Sequence, residues 1–211
     1  MTTRVFTFTV VGDGTSDRVF ASIFEWLLGS KLGETPFIVN MAERLHCSSN
    51  RLAVRVQSAQ KAYPSDVIFI HRDSENAPWE DRVTEIENAV SGLGLKYWIP
   101  VVPVRMTEAW ILADSNAIRR AASNPSGTAD LQLPVRGRWE LEPDPKEKLF
   151  SALRISSELN GRRLKKFNVH TARARIANLI DDFGYLRGLA SFDDFEKKLD
   201  IVLGKLNSDM C

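Results

Sequence analysis

Residues 4–11 (RVFTFTVV) mix β-branched and aromatic side chains without a helix-period stripe, which predicts a strand. Gly12-Asp13-Gly14 breaks it, and Thr15 or Ser16 can cap a helix over about 17–28, with Val19, Phe20, Ile23, Trp26 and Leu27 on its buried side. A short strand is expected at 37–40. Leu52, Val56, Ala59 and Tyr63 then fall on one face of a helix that Pro64 ends. The uninterrupted VIFI within 66–72 is the apolar run of a strand covered on both faces. Val83, Ile86, Val90 and Leu93 mark the next helix, closed by Gly92 and Gly94. Another strongly apolar strand is expected over 97–104, followed by a short helix over 107–113.

Strand and helix alternating on this scale predict an α/β fold of Rossmann type, a mostly parallel sheet with helices on both faces. The texture changes at residue 123. Residues 123–138 are rich in Asn, Ser, Gly and Pro with little periodicity and read as a loop or linker. Helices are expected over about 146–159, 171–189 and 192–206. The predicted organisation is a core over 1–122, the linker 123–138, and a helical segment over 139–211 packed on the core.

Composition narrows the function classes. With 211 residues, 44% of them hydrophobic and 26% charged, the chain is globular in character rather than disordered, collagen-like or of low complexity. The apolar runs are far too short for a membrane span, so no membrane partner is expected. The opening residues alternate and meet a charged loop, unlike a secretory leader. Two cysteines, Cys47 and Cys211, give no disulfide framework, and a reducing cytoplasm is the expected setting. A net charge of +1 argues against a strongly basic nucleic-acid coat. It leaves room for a local patch: between Asn160 and Arg175 there are six Lys or Arg and no Asp or Glu.

Ligands of a parallel α/β sheet bind beyond the carboxyl ends of its strands, and acidic residues cluster there. Asp13 ends the first strand, with Asp17 one helical turn onward. Asp73-Ser74-Glu75 follows VIFI, and its two carboxylates share a side if the strand continues that far. Glu108 follows the later strand, with Asp114 beyond it. Convergent carboxylates repel one another without a counter-ion, and oxygen donors suit Mg²⁺ or Mn²⁺. Against this stands the ordinary use of strand-end Asp as turn former and helix cap. No Lys-Ser/Thr follows the glycines, which argues against a Walker-type phosphate loop. His46-Cys47 lacks partners at zinc spacing. Trp110 reads as a core anchor rather than a base-stacking platform.

Taken together, the motifs resemble TOPRIM domains, the metal-binding folds of topoisomerases, primases and the overcoming-lysogenization-defect nucleases. Asp13-Gly14-Thr15-Ser16-Asp17-Arg18 is similar to their acidic-Gly-x-Ser/Thr-acidic-Arg opening, and His71-Arg72-Asp73-Ser74-Glu75 resembles their Asp-x-Asp motif with Glu in the second place. The stretch from Pro103 to Asp114 (PVRMTEAWILAD) and Asp144-Pro145-Lys146-Glu147 resemble segments of small bacterial TOPRIM-like proteins of uncharacterised function. The likeness covers islands across 4–150 and departs from the family at Asp13, where TOPRIM domains usually carry Glu.

The resemblance implies a Mg- or Mn-dependent phosphodiesterase acting on DNA or RNA. Asp13, Asp17, Asp73, Glu75 and Glu108 would surround the metal. One of Asp13 and Asp17 would orient the attacking water, and Lys146 would stabilise charge on the phosphoryl oxygens. Arg18 and the basic Arg162, Arg163, Lys165 and Lys166 would meet the nucleic-acid backbone. The family association further implies an effector of bacterial anti-phage defence with an ABC- or AAA-type ATPase partner, and a homodimer is admitted. The competing expectation is a TOPRIM-fold module without catalysis that docks on such an ATPase. A receiver- or flavodoxin-type domain ranks last, because the chain lacks their phosphoacceptor and flavin-loop patterns.

Overall fold

The computed structural model describes residues 4–209 apart from Asp13, Arg44 and His46, with the side chains of Thr15 and Ser16 also outside the description. The expectations placed on Asp13, His46 and Cys211 therefore lie outside the described residues. The helix expected from about 17 begins at Val19 with Arg18 at its N-cap, and Thr15 and Ser16 lie within the preceding 3-10 turn rather than capping it. Among the described residues the chain forms four strands and eight α-helices.

The strands are β1 (Phe6–Val11), β2 (Phe37–Met41), β3 (Val67–His71) and β4 (Trp98–Val101), all parallel in the order β2-β1-β3-β4. The chain steps from β1 outward to β2, then crosses back over β1 to β3 and on to β4. Right-handed crossovers in opposite directions place their helices on opposite faces. α1 (Val19–Leu32) covers one face, while α2 (Leu52–Ala62) and α3 (Trp79–Val90) cover the other. Strand alternation divides the core accordingly. Phe8, Val10, Val67, Phe69, Ile99 and Val101 face the α1 side; Val11, Ile68 and Ile70 face α2 and α3.

The α1 side is also sealed from the C-terminal half. α8 (Ala190–Ser208) lays Phe195 against Phe24 and Phe69, with ring centroids 5.3 and 5.7 Å apart. Phe8 stacks on Phe69 at 5.6 Å, and aromatic pairs of this kind contribute about 0.5–1.5 kcal/mol beyond their buried area. Covered by both sheet and helices, α1 buries Phe24 and Leu28 in addition to the expected stripe, while Trp26 is only partly buried against Phe183.

Three expected elements differ. The strand over 97–104 ends at Val101, because Pro103 has no N–H for the ladder and the following residues turn back to pair with 74 and 75. Pro100 is tolerated because β4 is a sheet edge. The helix over 107–113 is a 3-10 turn, Thr107–Ile111. The helix over 171–189 does not form as one piece. α7 (Val169–Arg175) is followed by 3-10 turns at Ala177–Leu179 and Gly184–Leu186. Ile180 is extended, Gly188 has φ +97°, and the Arg120 guanidinium takes the Leu179 carbonyl. The remaining helices are α4 (Ser115–Ala121), α5 (Pro145–Ser157) and α6 (Gly161–Lys165). Residues 123–138 carry neither helix nor strand.

Candidate functional site

The sheet changes direction between β1 and β3, and a crevice opens there beyond the strand ends. Two of the expected carboxylates flank it. Asp17 sits in the 3-10 turn Thr15–Arg18, buried, with Oδ2 accepting the Gly14 N–H at 3.0 Å. Gly12 makes this possible: a Cβ there would lie 2.2 Å from Asp17 Oδ2. The Arg55 guanidinium holds the Gly12 carbonyl from the α2 side.

His71 ends β3 and is fully buried, packed on Phe20 at 4.4 Å between centroids. Its Nδ1 donates to the Val101 carbonyl at 3.0 Å. That bond fixes the ring so that Nε2 faces Asp17 Oδ1 at 3.8 Å, Asp73 Oδ1 at 3.5 Å and Thr107 Oγ1 at 3.4 Å. Strand parity explains the position, since residue 71 points to the same face as Val67 and Phe69.

Asp73 is half-buried. Its Oδ1 accepts both the Thr107 N–H at 2.9 Å and the Thr107 hydroxyl at 3.0 Å. Burial raises the Asp73 carboxyl above its ordinary value and the Glu108 and Asp17 carboxylates add to this, against the opposite pull of His71 and the Thr107 hydroxyl. Glu108 is buried and bound by the largely covered Arg173 of α7 at 3.0 Å.

Glu75 is not brought to this cluster. The strand ends at His71, so the alternation that would have put Asp73 and Glu75 on one side does not extend to them. Glu75 instead takes a left-handed conformation, φ +54°, with its side chain exposed and 3.5 Å from Arg82. Its turn is locked to the facing loop: Glu75 N–H donates to the Arg105 carbonyl, and Arg105 N–H to the buried Ser74 hydroxyl. Asp114 caps α4 by accepting the Ala117 N–H, and Asp144 caps α5 by accepting the Glu147 N–H. Arg18 makes a two-pronged pair with Glu43 at 2.5 and 2.6 Å. Arg162, Arg163, Lys165 and Lys166 are exposed on and just after α6. Trp110 is fully buried.

A cavity of about 320 Å³ opens on Asp73, lined also by Thr107, Glu108, Lys146, Phe150, His170 and Arg173. Lys146 enters from α5 and His170 and Arg173 from α7, so the helical C-terminal half builds one wall. Asp17 borders a second hollow of about 170 Å³, with Gly12, Gly14, Arg18 and Glu43. His71, Thr107, His170 and Arg173 were not singled out by the sequence reading. The acid-free stretch ending at Arg175 contained the signal for the last two, with His170 and Arg173 one turn apart on a helix.

Among the described residues no three His, Cys, Asp or Glu side chains form a group that could hold a metal ion. Mg²⁺ needs less than that. It keeps several waters and is commonly held by one or two carboxylates plus substrate phosphate oxygens. Asp73 offers a solvent-reached carboxylate whose proton affinity is raised chiefly by burial and further by the neighbouring Glu108 and Asp17 carboxylates. That donor chemistry fits a hard divalent cation. No family model, curated protein or solved structure matches the chain.

Proposed function

We propose that the chain is a Mg²⁺- or Mn²⁺-dependent phosphodiesterase of TOPRIM-like type acting on a nucleic acid. The observation that carries this reading is the cavity beyond the ends of β3 and β4, where Asp73 and Glu108 share the lining with Lys146, His170 and Arg173. Such a cavity suits an anionic ester approached by a cation. Asp73 would hold the metal ion, with Asp17 beyond His71 and Asp13 in the same loop by its place in sequence. When bound, the ion would polarise a phosphoryl oxygen and lower the pKa of an attacking water.

The protein's own groups divide the remaining work. Thr107 holds Asp73 Oδ1 with two donors and so orients the carboxylate. His71 stands between Asp17 and Asp73 and keeps the two carboxylates apart. Lys146 places a cation where phosphoryl charge develops. Arg162, Arg163, Lys165 and Lys166 offer a salt-sensitive contact for a polyanion backbone. Defence against phage, an ATPase partner and a cytoplasmic setting belong to the same reading through the TOPRIM resemblance alone. The direct test is cleavage of single- and double-stranded DNA and RNA with Mn²⁺. Wild-type cleavage that Asp73→Ala abolishes supports the reading; equal activity in the variant overturns it.

A second reading has a specific observation behind it. Glu108 is already neutralised by Arg173, and Asp17 and Asp73 border separate cavities with His71 between them. A scaffold whose acids are internally compensated suits a docking module without catalysis. Co-purification with an ATPase and inertness under every metal would favour it.

A further inference from the structure

Inside the cavity, Glu108 and Arg173 cancel one another through a buried ion pair. Asp73 then faces two groups that no protein acceptor engages. Lys146 and His170 are both exposed, and neither has a hydrogen-bond or ion-pair partner among the described residues. Both are nonetheless positioned. Lys146 and Phe150 lie one turn apart on α5, so they share the face that lines the cavity. The His170 ring stands edge-on to Phe150, centroids 5.0 Å apart and planes at 79°. His170 and Arg173 share a face of α7, and the Arg173–Glu108 pair ties that helix to the loop after β4. The volume is at the lower end of ligand pockets, which run from about 300 to 1,000 Å³.

We propose that Lys146 and His170 form a phosphate subsite, taking the phosphoryl group of a nucleotide on the wall of the cavity opposite Asp73. This rests on the phosphodiesterase reading for the identity of the ester, but the subsite itself needs no metal. Lys146 supplies a point charge with three donors, and the His170 ring supplies a directional N–H. Without a cation, the Asp73 carboxylate repels the bound phosphate. With one, the same Asp73 and the phosphate become joint ligands, and each raises the affinity for the other by the same factor. This accounts for a cation site with few protein donors: the substrate completes it.

The test is titration of the whole chain with thymidine 3′,5′-bisphosphate in EDTA, read by calorimetry and by the His170 ring resonances. Saturable binding is expected, weakened about tenfold by either Lys146→Met or His170→Gln, as for loss of a hydrogen bond to a charged group. Asp73→Asn should tighten it, because a repelling carboxylate is removed. Both substituted side chains in the first pair are exposed, so unchanged thermal unfolding verifies the fold. Absence of binding at several millimolar overturns the subsite. So does binding indifferent to both variants, or binding lost only when Arg162 and Arg163 are replaced by Ala. Repeating the titration with Mn²⁺ separates the two readings. Tightening in wild type but not in Asp73→Asn supports both, whereas binding in EDTA that Mn²⁺ leaves unchanged keeps the subsite and removes the metal centre.

Discussion

Thr107 gives both its backbone N–H and its hydroxyl to a single oxygen of Asp73. The residue that opens the 3-10 turn after β4 thereby fixes a carboxylate at the end of β3. Replacing Thr107 by Val keeps the shape and the backbone donor but deletes the hydroxyl. The Thr107 side-chain bond holds the Asp73 carboxyl down, so its loss should raise that carboxyl further. Carbon NMR of labelled Asp73 should show its titration moving to higher pH in the Val variant, and an unmoved titration would remove Thr107 from its orienting role.

Asp73 also has a sign to its effect on stability. Its folded-state value is raised, chiefly by burial, so the folded protein binds the Asp73 proton more tightly than the unfolded chain does. Stability from this group is full below the ordinary carboxylate range and is lost as pH rises through the folded value. Asp73→Asn should therefore raise the melting temperature at pH 7 by a few degrees. The advantage should vanish in acid, where Asp73 is protonated in both states. A variant less stable than wild type at neutral pH would contradict this.

Arg173 and Glu108 form the buried ion pair that ties α7 to the sheet. Removing Arg173 alone leaves a buried carboxylate uncompensated, a loss of about 3–5 kcal/mol for pairs of this type. Arg173→Met should lose stability on that scale in urea unfolding, and Glu108→Gln combined with it should recover much of the loss. Additive losses in the double variant would mean that the two side chains act independently.

Gly12→Ala puts a methyl into the space that Asp17 Oδ2 occupies, 2.2 Å from the new carbon. Asp17 must swing out, surrendering the Gly14 N–H and its place beside His71. A loss of about 1–3 kcal/mol is expected, as for other forced overpacking. A Gly12→Ala, Asp17→Ala double variant should be less than additive, because the small side chain removes the collision.

Glu75 separates the geometry from the sequence motif. Its exposed side chain beside Arg82 predicts that Glu75→Gln changes Mn²⁺ affinity less than about twofold, within the effect of a distant screened charge, while Asp73→Ala abolishes binding. Equal losses in a calorimetric titration would show that the 73–75 turn rearranges around the ion.

The strands and their faces were legible because period-2 alternation and the continuous VIFI run report burial directly. Leu52, Val56 and Ala59 likewise marked the buried face of α2, and Val83, Ile86 and Val90 that of α3. The break of the helix expected over 171–189 was less visible, since it depends on Arg120 arriving from α4 to take the Leu179 carbonyl. The site was half legible. Asp17, Asp73 and Glu108 could be placed near strand ends by order alone. Glu75 could not, because a single left-handed residue after β3 reverses the side to which its carboxylate points. His170 and Arg173 reach the cavity through tertiary packing of α7; the acid-free stretch marks their helix but not where it docks. His71 was hidden for the opposite reason: its role comes from burial between two acids that are distant in sequence.

The placement of Phe195 against Phe24 and Phe69 has a bearing on biosynthesis. All four strands and α1 emerge from the ribosome well before residue 195, yet the sheet face that α8 seals stays open until then. Nascent chains would expose Phe24, Phe69 and their neighbours to water for many seconds at ordinary elongation rates of about 5–20 residues per second. Closure of this face thus waits until α8 has been made, and the interval before it is when the chain is most open to chaperone capture or to association with another nascent copy.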